Sequence, residues 1–295
     1  KHPEGFPEID LRIDRISYPN SQRFYYIYQA FRVGVSVQEI SELTQINPWF
    51  LEQLSDLCLF EKELIEAVIK NRQDFQDLSK FLSKDLLLRA KRKGFSDALI
   101  GRLCRTSSEA VLALRETYGI YPKFQQVDTC AGEFASSTPY FYSTYWFQSE
   151  HSEKVVFNEG SIAVIGSGSN RIGQGIEFDY SCVRGVKAFQ RAGKKVIMIN
   201  SNPETVSTDY DTSDSLFFEP LTYEHVAEVM RKVKPQGFVA QLGGQTPLNI
   251  TPQLVKAGYS LLGSSLKSID LAEDRGLFSS ICRELKLKIP KSIMA

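Results

Sequence analysis

The sequence predicts a helical domain over residues 1–150, followed by an α/β domain with a mainly parallel sheet over residues 151–295. Three observations carry this. Through the first part of the chain, apolar residues recur at helical spacing between Ser, Thr and Asn caps. From Ser161 onward, short apolar strands alternate with amphipathic helices. Between the first such strand and its helix lies a glycine loop, from Gly166 to Gly175.

Pro3, Pro7 and Pro19 keep the first stretch irregular. A helix is predicted over 22–33, ended by Gly34. Ser36-Val37-Gln38-Glu39 reads as a capping box for a short helix. Asn47-Pro48 caps and opens the longest helix, 48–71, with Leu51, Leu54, Leu57, Cys58, Leu64, Ile65 and Val68 on one stripe. Helices over 84–93 and 96–104 follow, and Thr106-Ser107-Ser108-Glu109 reads as a second capping box for a helix ended by Gly119. Residues 121–150 show little periodicity. Their aromatic cluster (Tyr140, Phe141, Tyr142, Tyr145, Trp146 and Phe147) is expected to pin an irregular connector onto its neighbours. Stacking of nucleic-acid bases is the rarer use of such a cluster. Residues 148–160 are polar and are expected to be a linker.

In the second domain, strands are predicted at 162–166, 195–200, 215–219, 237–242 and 259–263. Helices are predicted near 175–192, 222–234, 247–257 and 273–287, with Thr222 as an N-cap and Pro252 interrupting or kinking the third. Right-handed crossovers then place helices on both faces of the sheet. The first βαβ unit is not a dinucleotide fingerprint. Its glycines fall at Gly166, Gly168 and Gly173, and the second strand ends in Asn200 rather than Asp or Glu. No Lys-Ser or Lys-Thr pair closes the loop, so it is not a nucleotide P-loop. Glu177 and Asp179 in the first helical turn stabilise the helix dipole themselves and would repel a pyrophosphate. The architecture is Rossmann-like without the usual cofactor chemistry.

Composition excludes several classes. Lys plus Arg and Asp plus Glu are both 35, so the chain is neutral, which disfavours a dedicated nucleic-acid or membrane-surface protein. Cys58, Cys104, Cys130, Cys182 and Cys282 are scattered, without C-x-x-C spacing, and read as reduced thiols of a cytoplasmic protein. No apolar run approaches the ~20 residues of a membrane span, and His2, His151 and His225 lie far apart without a nucleophile pattern. No metal site is expected. Glu204, Asp209, Asp211 and Asp214 lack the glycine and bidentate glutamate of a calcium loop and are expected to cap turns. Both ends look cut, so a longer parent chain is expected. The loops bearing Gly166, Gly168, Gly173, Gly175, Gly243 and Gly244 converge on one sheet edge. Tight packing and ligand contact are both open for them. The Gly243-Gly244-Gln245-Thr246 junction, together with Asn170 and Arg171, is the candidate ligand-facing surface.

Four segments carry a resemblance. Asn170-Arg171-Ile172-Gly173-Gln174-Gly175-Ile176-Glu177-Phe178-Asp179-Tyr180 and Asn202-Pro203-Glu204-Thr205-Val206-Ser207-Thr208-Asp209-Tyr210-Asp211 come first, followed by Gly243-Gly244-Gln245-Thr246-Pro247 and Ala272-Glu273-Asp274-Arg275. In this order they resemble the large chain of glutamine-hydrolysing carbamoyl-phosphate synthase, at the start of its second synthetic half. Arg89–Asp97 and Val127–Phe134 resemble the region before that half. The resemblance implies a helical oligomerisation domain followed by a pre-ATP-grasp domain, in a parent ligase that makes carbamoyl phosphate from bicarbonate, ammonia from glutamine, and two ATP, for pyrimidine and arginine synthesis. It implies ATP with Mg or Mn and a monovalent cation in the full-length parent, but no cofactor and no catalytic residue in this stretch. Its implied partners are other domains of the same large chain, a glutaminase small subunit or domain, and a second copy through residues 1–150, with neither nucleic acid nor membrane. Gly175 and Glu177 become candidates for the wall of the carbamate tunnel. The alternative is a stand-alone Rossmann-like ligand-binding regulatory module. Its nucleic-acid-binding head would be a helix-turn-helix at 95–119, with Arg89, Lys91, Arg92 and Lys93 as phosphate contacts.

Overall fold

A computed structural model describes residues 13–70, 77–146 and 160–290. The expectations for Pro3, Pro7, His2, His151, Phe147, the last five residues and all but the end of the polar stretch 148–160 lie outside these residues. The chain divides into two compact units, Lys1–Ile120 and Tyr121–Ala295.

The first unit is helical: α1 (Ile13–Ser17), α2 (Arg23–Arg32), α3 (Val37–Thr44), α4 (Pro48–Lys70), α5 (Lys84–Arg92), α6 (Asp97–Leu103) and α7 (Ser108–Thr117). Local chemistry sets the boundaries. Ser36 and Glu39 form the reciprocal capping box, and the Asn47 side chain accepts the Trp49 N–H at 2.9 Å. Before α7 the expected box does not form. Ser107, not Thr106, is the cap and accepts the Ala110 N–H, so Glu109 lies one position too early to close it. Ile16, Ile27, Ala30, Phe31, Ile40, Leu51 and Cys58 pack as one core across α1 to α4.

Charge is buried at Lys91, one of the cations that the alternative reading set against phosphate. Lys91 donates to Asp97 at 3.0 Å and to the Phe95 carbonyl at 2.8 Å. Arg115 donates to the other Asp97 oxygen at 3.2 Å and to the Ile120 carbonyl at 3.0 Å. All three side chains are buried, so α5, α6 and α7 are joined through one carboxylate. Arg89 makes a bidentate pair with Glu63, and Lys93 pairs with Asp56. Of the cations named as phosphate contacts in that alternative, Arg89, Lys91 and Lys93 are committed to carboxylates.

The second unit holds a six-stranded sheet in the order β1-β2-β5-β4-β3-β6. Its strands are β1 (Lys123–Gln126), β2 (Tyr140–Thr144), β3 (Ile162–Ile165), β4 (Val196–Asn200), β5 (Ser215–Phe218) and β6 (Gly237–Val239). All pairs are parallel except β1 with β2. The helices are α8 (Ile176–Arg191), α9 (Tyr223–Val233), α10 (Gln245–Lys256), α11 (Leu266–Glu273) and α12 (Arg275–Glu284). Alternation along the strands sorts the core. Ala163, Ile165, Ile197, Ile199 and Phe217 face α9 and α10, whereas Val164, Val196, Met198 and Leu216 meet Cys182 and Val186 of α8. Covering both faces explains why these strands read as unbroken apolar runs.

Three details differ from expectation. The aromatic connector supplies strands: Phe141 is buried against Phe217, and Tyr140 packs edge-on to Phe218. Residues 259–263 form only a single bridge, Phe238 to Leu261. The helix expected over 273–287 is α12, which Asp274 caps by accepting the Leu277 N–H at 2.8 Å, and a helix the sequence reading did not foresee, α11, runs directly before it. In addition, α10 runs through Pro252, and the Thr222 hydroxyl bonds His225 rather than a backbone N–H.

Asp97→Ala removes the carboxylate that Lys91 and Arg115 share while both cations remain buried. The expected cost is about 3–5 kcal/mol, read from the urea dependence of the helical circular-dichroism signal. A loss below about 1 kcal/mol would mean that the cations find water when Asp97 is gone.

Candidate functional site

The carboxyl ends of the parallel strands carry the loops that sequence analysis singled out. Among them lies a cleft of about 600 Å³, lined by residues 167–171, Ser201, residues 218–221 and Thr246. Strand order reverses beside β3, because β4 and β5 lie on one side and β6 on the other. Open parallel sheets bind ligands at such a point.

Three buried side chains fix the loops. Asn200, at the end of β4, accepts the N–H groups of Gly168 (3.0 Å) and Ser201 (2.9 Å), and its amide donates to the Ser207 hydroxyl at 3.1 Å. Gln174 donates to the Ser167 carbonyl at 2.7 Å and the Thr246 hydroxyl at 3.2 Å. Asp179 accepts the Ser207 N–H at 3.1 Å. The ordinary position of a ribose carboxylate is thus held by an amide serving the protein's own backbone. The end of the glycine loop is a two-residue turn: the Arg171 and Gln174 backbones bond each other at 3.0 and 2.9 Å, and Gly173 adopts φ +84°. That turn presents Ile172 fully to solvent. Arg171 donates to Gln174 Oε1 at 2.8 Å and to the Thr246 hydroxyl at 3.1 Å, tying the first loop to the start of α10.

Asn170, Arg171 and Thr246 therefore meet in the cleft, whereas Gly175, Glu177, Gly243, Gly244 and Gln245 do not line it. Gln245 bonds Asn249 along its own helix. Glu177 turns back to accept the Gly175 N–H at 3.2 Å, occupying the helix start as expected for a dipole partner. A nucleotide phosphate does not fit there, because a carboxylate already takes the N–H and Asp179 is buried behind it.

The glycines separate into two kinds. A Cβ at Gly243 would lie 2.5 Å from the Ile165 carbonyl oxygen and 2.7 Å from that of Gly166, so close packing requires glycine. Gly175 has extended backbone at φ −106°, ψ −156°, and an added Cβ would meet only the Glu177 carboxylate. Neither backbone strain nor core packing explains glycine at 175.

Sequence reasoning missed Ser167, Ser201 and above all Glu219. Glu219 is buried, and its carboxylate accepts the Ser143 N–H at 2.6 Å and hydroxyl at 2.9 Å. Burial pushes its pKa up from 4.5 to about 7, against the two Ser143 bonds that lower it. The signal available was a Glu ending an apolar strand, Leu216-Phe217-Phe218-Glu219. Burial also raises the Cys104 and Cys182 thiols to about 12, which leaves neither as a nucleophile. Asp214 serves structure by accepting from Lys195 Nζ at 2.6 Å and the Val196 N–H at 2.9 Å. Among the described residues no group of three His, Cys, Asp or Glu side chains could hold a metal, and no helix is long and apolar enough to cross a membrane.

Two sequence models of known domains match. Residues 4–119 match the carbamoyl-phosphate synthetase large chain, oligomerisation domain, and residues 158–271 match the carbamoyl phosphate synthase preATP-grasp domain. The carbamoyl phosphate synthase large chain of Thermotoga neapolitana is 45% identical over 289 residues, 97% of this chain and 25% of that protein. That of Archaeoglobus fulgidus is 42% identical over 282 residues, 96% of this chain and 25% of the relative. That of Rhodopirellula baltica is 46% identical over 292 residues, 99% of this chain and 26% of the relative. The chain thus spans about a quarter of the length of the curated relatives it matches.

The buried Glu219 carboxyl makes a pH prediction. Between pH 4.5 and about 7 the folded protein keeps a proton that the unfolded chain releases. The resulting stabilisation is fully present below 4.5 and is lost as pH rises through 7. Glu219→Gln lacks this loss. The stability of the wild type minus that of the variant should fall by about 3 kcal/mol from pH 4 to 8 in urea titrations. A pH-independent difference would contradict the raised pKa.

Proposed function

The chain belongs to the carbamoyl phosphate synthase large-chain family, and from that premise we propose that it supplies scaffold, self-association and part of an internal carbamate route to a carbamoyl-phosphate-forming ligase. In this reading the full-length parent joins bicarbonate and glutamine-derived ammonia with two ATP, feeding pyrimidine and arginine synthesis. ATP, its Mg or Mn and a monovalent cation belong to parts of the parent outside this chain, as do the catalytic residues. The other domains of the large chain and a glutaminase subunit or domain are its partners. Residues 4–119, matching an oligomerisation domain, are the part through which copies associate.

The observation that carries the route is Gly175. Its backbone angles suit any residue, and the only neighbour of an added Cβ is a flexible carboxylate. Glycine is then retained for the space in front of it. Carbamate is small, anionic and unstable in water, so an enzyme with two separate sites gains from a closed path between them. Glu177, fixed beside that space by the Gly175 N–H, is placed to exchange a hydrogen bond with carbamic acid in transit.

In the full-length enzyme, Gly175→Phe should abolish carbamoyl-phosphate synthesis. It should retain bicarbonate-dependent ATP hydrolysis and carbamoyl-phosphate-dependent ATP formation, with little change in melting temperature. Loss of all three activities with a large fall in melting temperature would assign Gly175 to packing, and unimpaired synthesis would remove it from the route.

A further inference from the structure

We propose that the cleft at the carboxyl edge of the sheet binds a small organic molecule by its oxyanion, a carboxylate or a phosphate. The scaffold reading calls for no ligand there, and Gly175 and Glu177, the candidates for the carbamate route, do not line it. Donors around the cleft outnumber the groups that use them. Arg171 carries five N–H groups. Its bonds leave from Nη2 alone, to Gln174 Oε1 at 2.8 Å and the Thr246 hydroxyl at 3.1 Å. Both acceptors are neutral, so the guanidinium is held in place without being neutralised. Among the described residues no carboxylate pairs with it, and Nε and Nη1 remain unspent. The Thr246 oxygen also accepts from Gln174 Nε2 at 3.2 Å, so both of its lone pairs are taken and its own O–H is left to donate. In the glycine loop, Gly168 turns at φ +75°, and the N–H groups of Ser169 and Asn170 meet no acceptor among the described residues.

A guanidinium, a hydroxyl and two backbone N–H groups thus line one cleft with protons to give. Their match is a group that only accepts, which an ionised carboxylate or phosphate is. Of the lining residues only Glu219 is acidic. Both its oxygens are turned to Ser143 on β2, which lies on the far side of β5 from β4. The loops are also set before a ligand arrives, because Asn200 already holds the Gly168 and Ser201 N–H groups. The opposite wall takes the body of the molecule. Residues 167–171 follow β3 and residues 218–221 follow β5, and these two strands flank β4. The second segment brings Phe218, Pro220 and Leu221, an apolar surface that a bare ion would leave uncovered. The cleft of about 600 Å³ falls within the ~300–1,000 Å³ of small-molecule sites, where apolar lining is combined with a few fixed polar groups. A single Asp or Glu side chain brought by another part of the parent would meet the donors but has no apolar body for that wall.

The test is a nuclear magnetic resonance titration of the 295-residue chain with phenyl phosphate, benzoate and inorganic phosphate. Phenyl phosphate or benzoate should bind at one site with a Kd of about 1 mM or tighter, moving the Ser169 and Asn170 amide signals. The tighter of the two identifies the oxyanion, and inorganic phosphate should bind at least about 10-fold more weakly than it. Ser201→Asp places a negative charge in the cleft and should weaken binding at least about 10-fold, whereas the uncharged Ser201→Asn should bind as the wild type does. The Ser201 hydroxyl makes no bond among the described residues, so neither change disturbs the fold. Arg171→Gln should weaken binding by a similar factor, and Ser201→Asp carries the test if that variant loses its loop structure. No binding of any probe at about 10 mM overturns the proposal, as does equal binding by wild type and Ser201→Asp. Inorganic phosphate binding as tightly as the organic probes reduces the site to a bare-ion contact and overturns the organic ligand. The same titration of the full-length parent should show the same sensitivity to Ser201→Asp. Its absence there would mean that other parts of the parent fill the cleft, which overturns the proposal while leaving the scaffold reading intact.

Discussion

The carboxyl edge of the sheet depends on one buried amide. Asn200 holds the first loop through Gly168, the second through Ser201 and Ser207, and the third through its backbone carbonyl, which accepts the Glu219 N–H at 3.2 Å. An amide supplies acceptor and donor together, whereas an ionised carboxylate only accepts. Each buried partner left unsatisfied would cost about 1–3 kcal/mol. The amide also dictates its neighbour: a Cβ at Gly166 would sit 2.6 Å from the Asn200 Cγ, so the first glycine of the loop exists to admit this side chain. The departure from a dinucleotide fingerprint is therefore a substitution of roles, with protein groups filling the place a cofactor would take.

Much of this was legible in the sequence, and the failures share a cause. Strands β3, β4 and β5 announced themselves as short apolar runs because both faces are covered. The starts of α3, α4 and α6 were readable from Ser36, Asn47 and Ser96, since capping is a local interaction, whereas Ser83 was not read as a cap and Ser107 was passed over for Thr106. Strand β2 was hidden because its parallel partner, β5, lies more than 70 residues on, at Leu216 and Phe217, and β1 was hidden with it because β1 pairs with β2. Residues 259–263 looked like a strand by composition, yet pairing ends after one bridge to Phe238. In the candidate site, Asn170, Arg171 and Thr246 could be named because they sit in loops marked by glycine. Glu219 could not, because its burial and its Ser143 partner are products of strand register.

The helical unit applies the opposite chemistry. Its α5 to α7 junction is ionic, with Asp97 between Lys91 and Arg115, and its α2 to α4 junction joins Arg32 and Tyr28 to the buried Glu61. Helical spacing shows that a cation lies on one face. It does not show which carboxylate from another helix will meet it. Net neutrality, read at first as evidence about partners outside the chain, is in part the consequence of pairings inside it.

The hairpin of β1 and β2 has a consequence for modularity. These strands precede the glycine loop by some distance in sequence, yet they form the outer edge of its sheet, and Phe124 and Phe141 cover Phe217. A gene boundary drawn just ahead of β3 would keep every recognisable motif and still leave β5 as an open edge, with Phe217 uncovered and its ladder free to recruit foreign strands. The portable piece of this architecture is therefore larger than its signature, and any recombination or excision that respects folding has to carry the aromatic connector along.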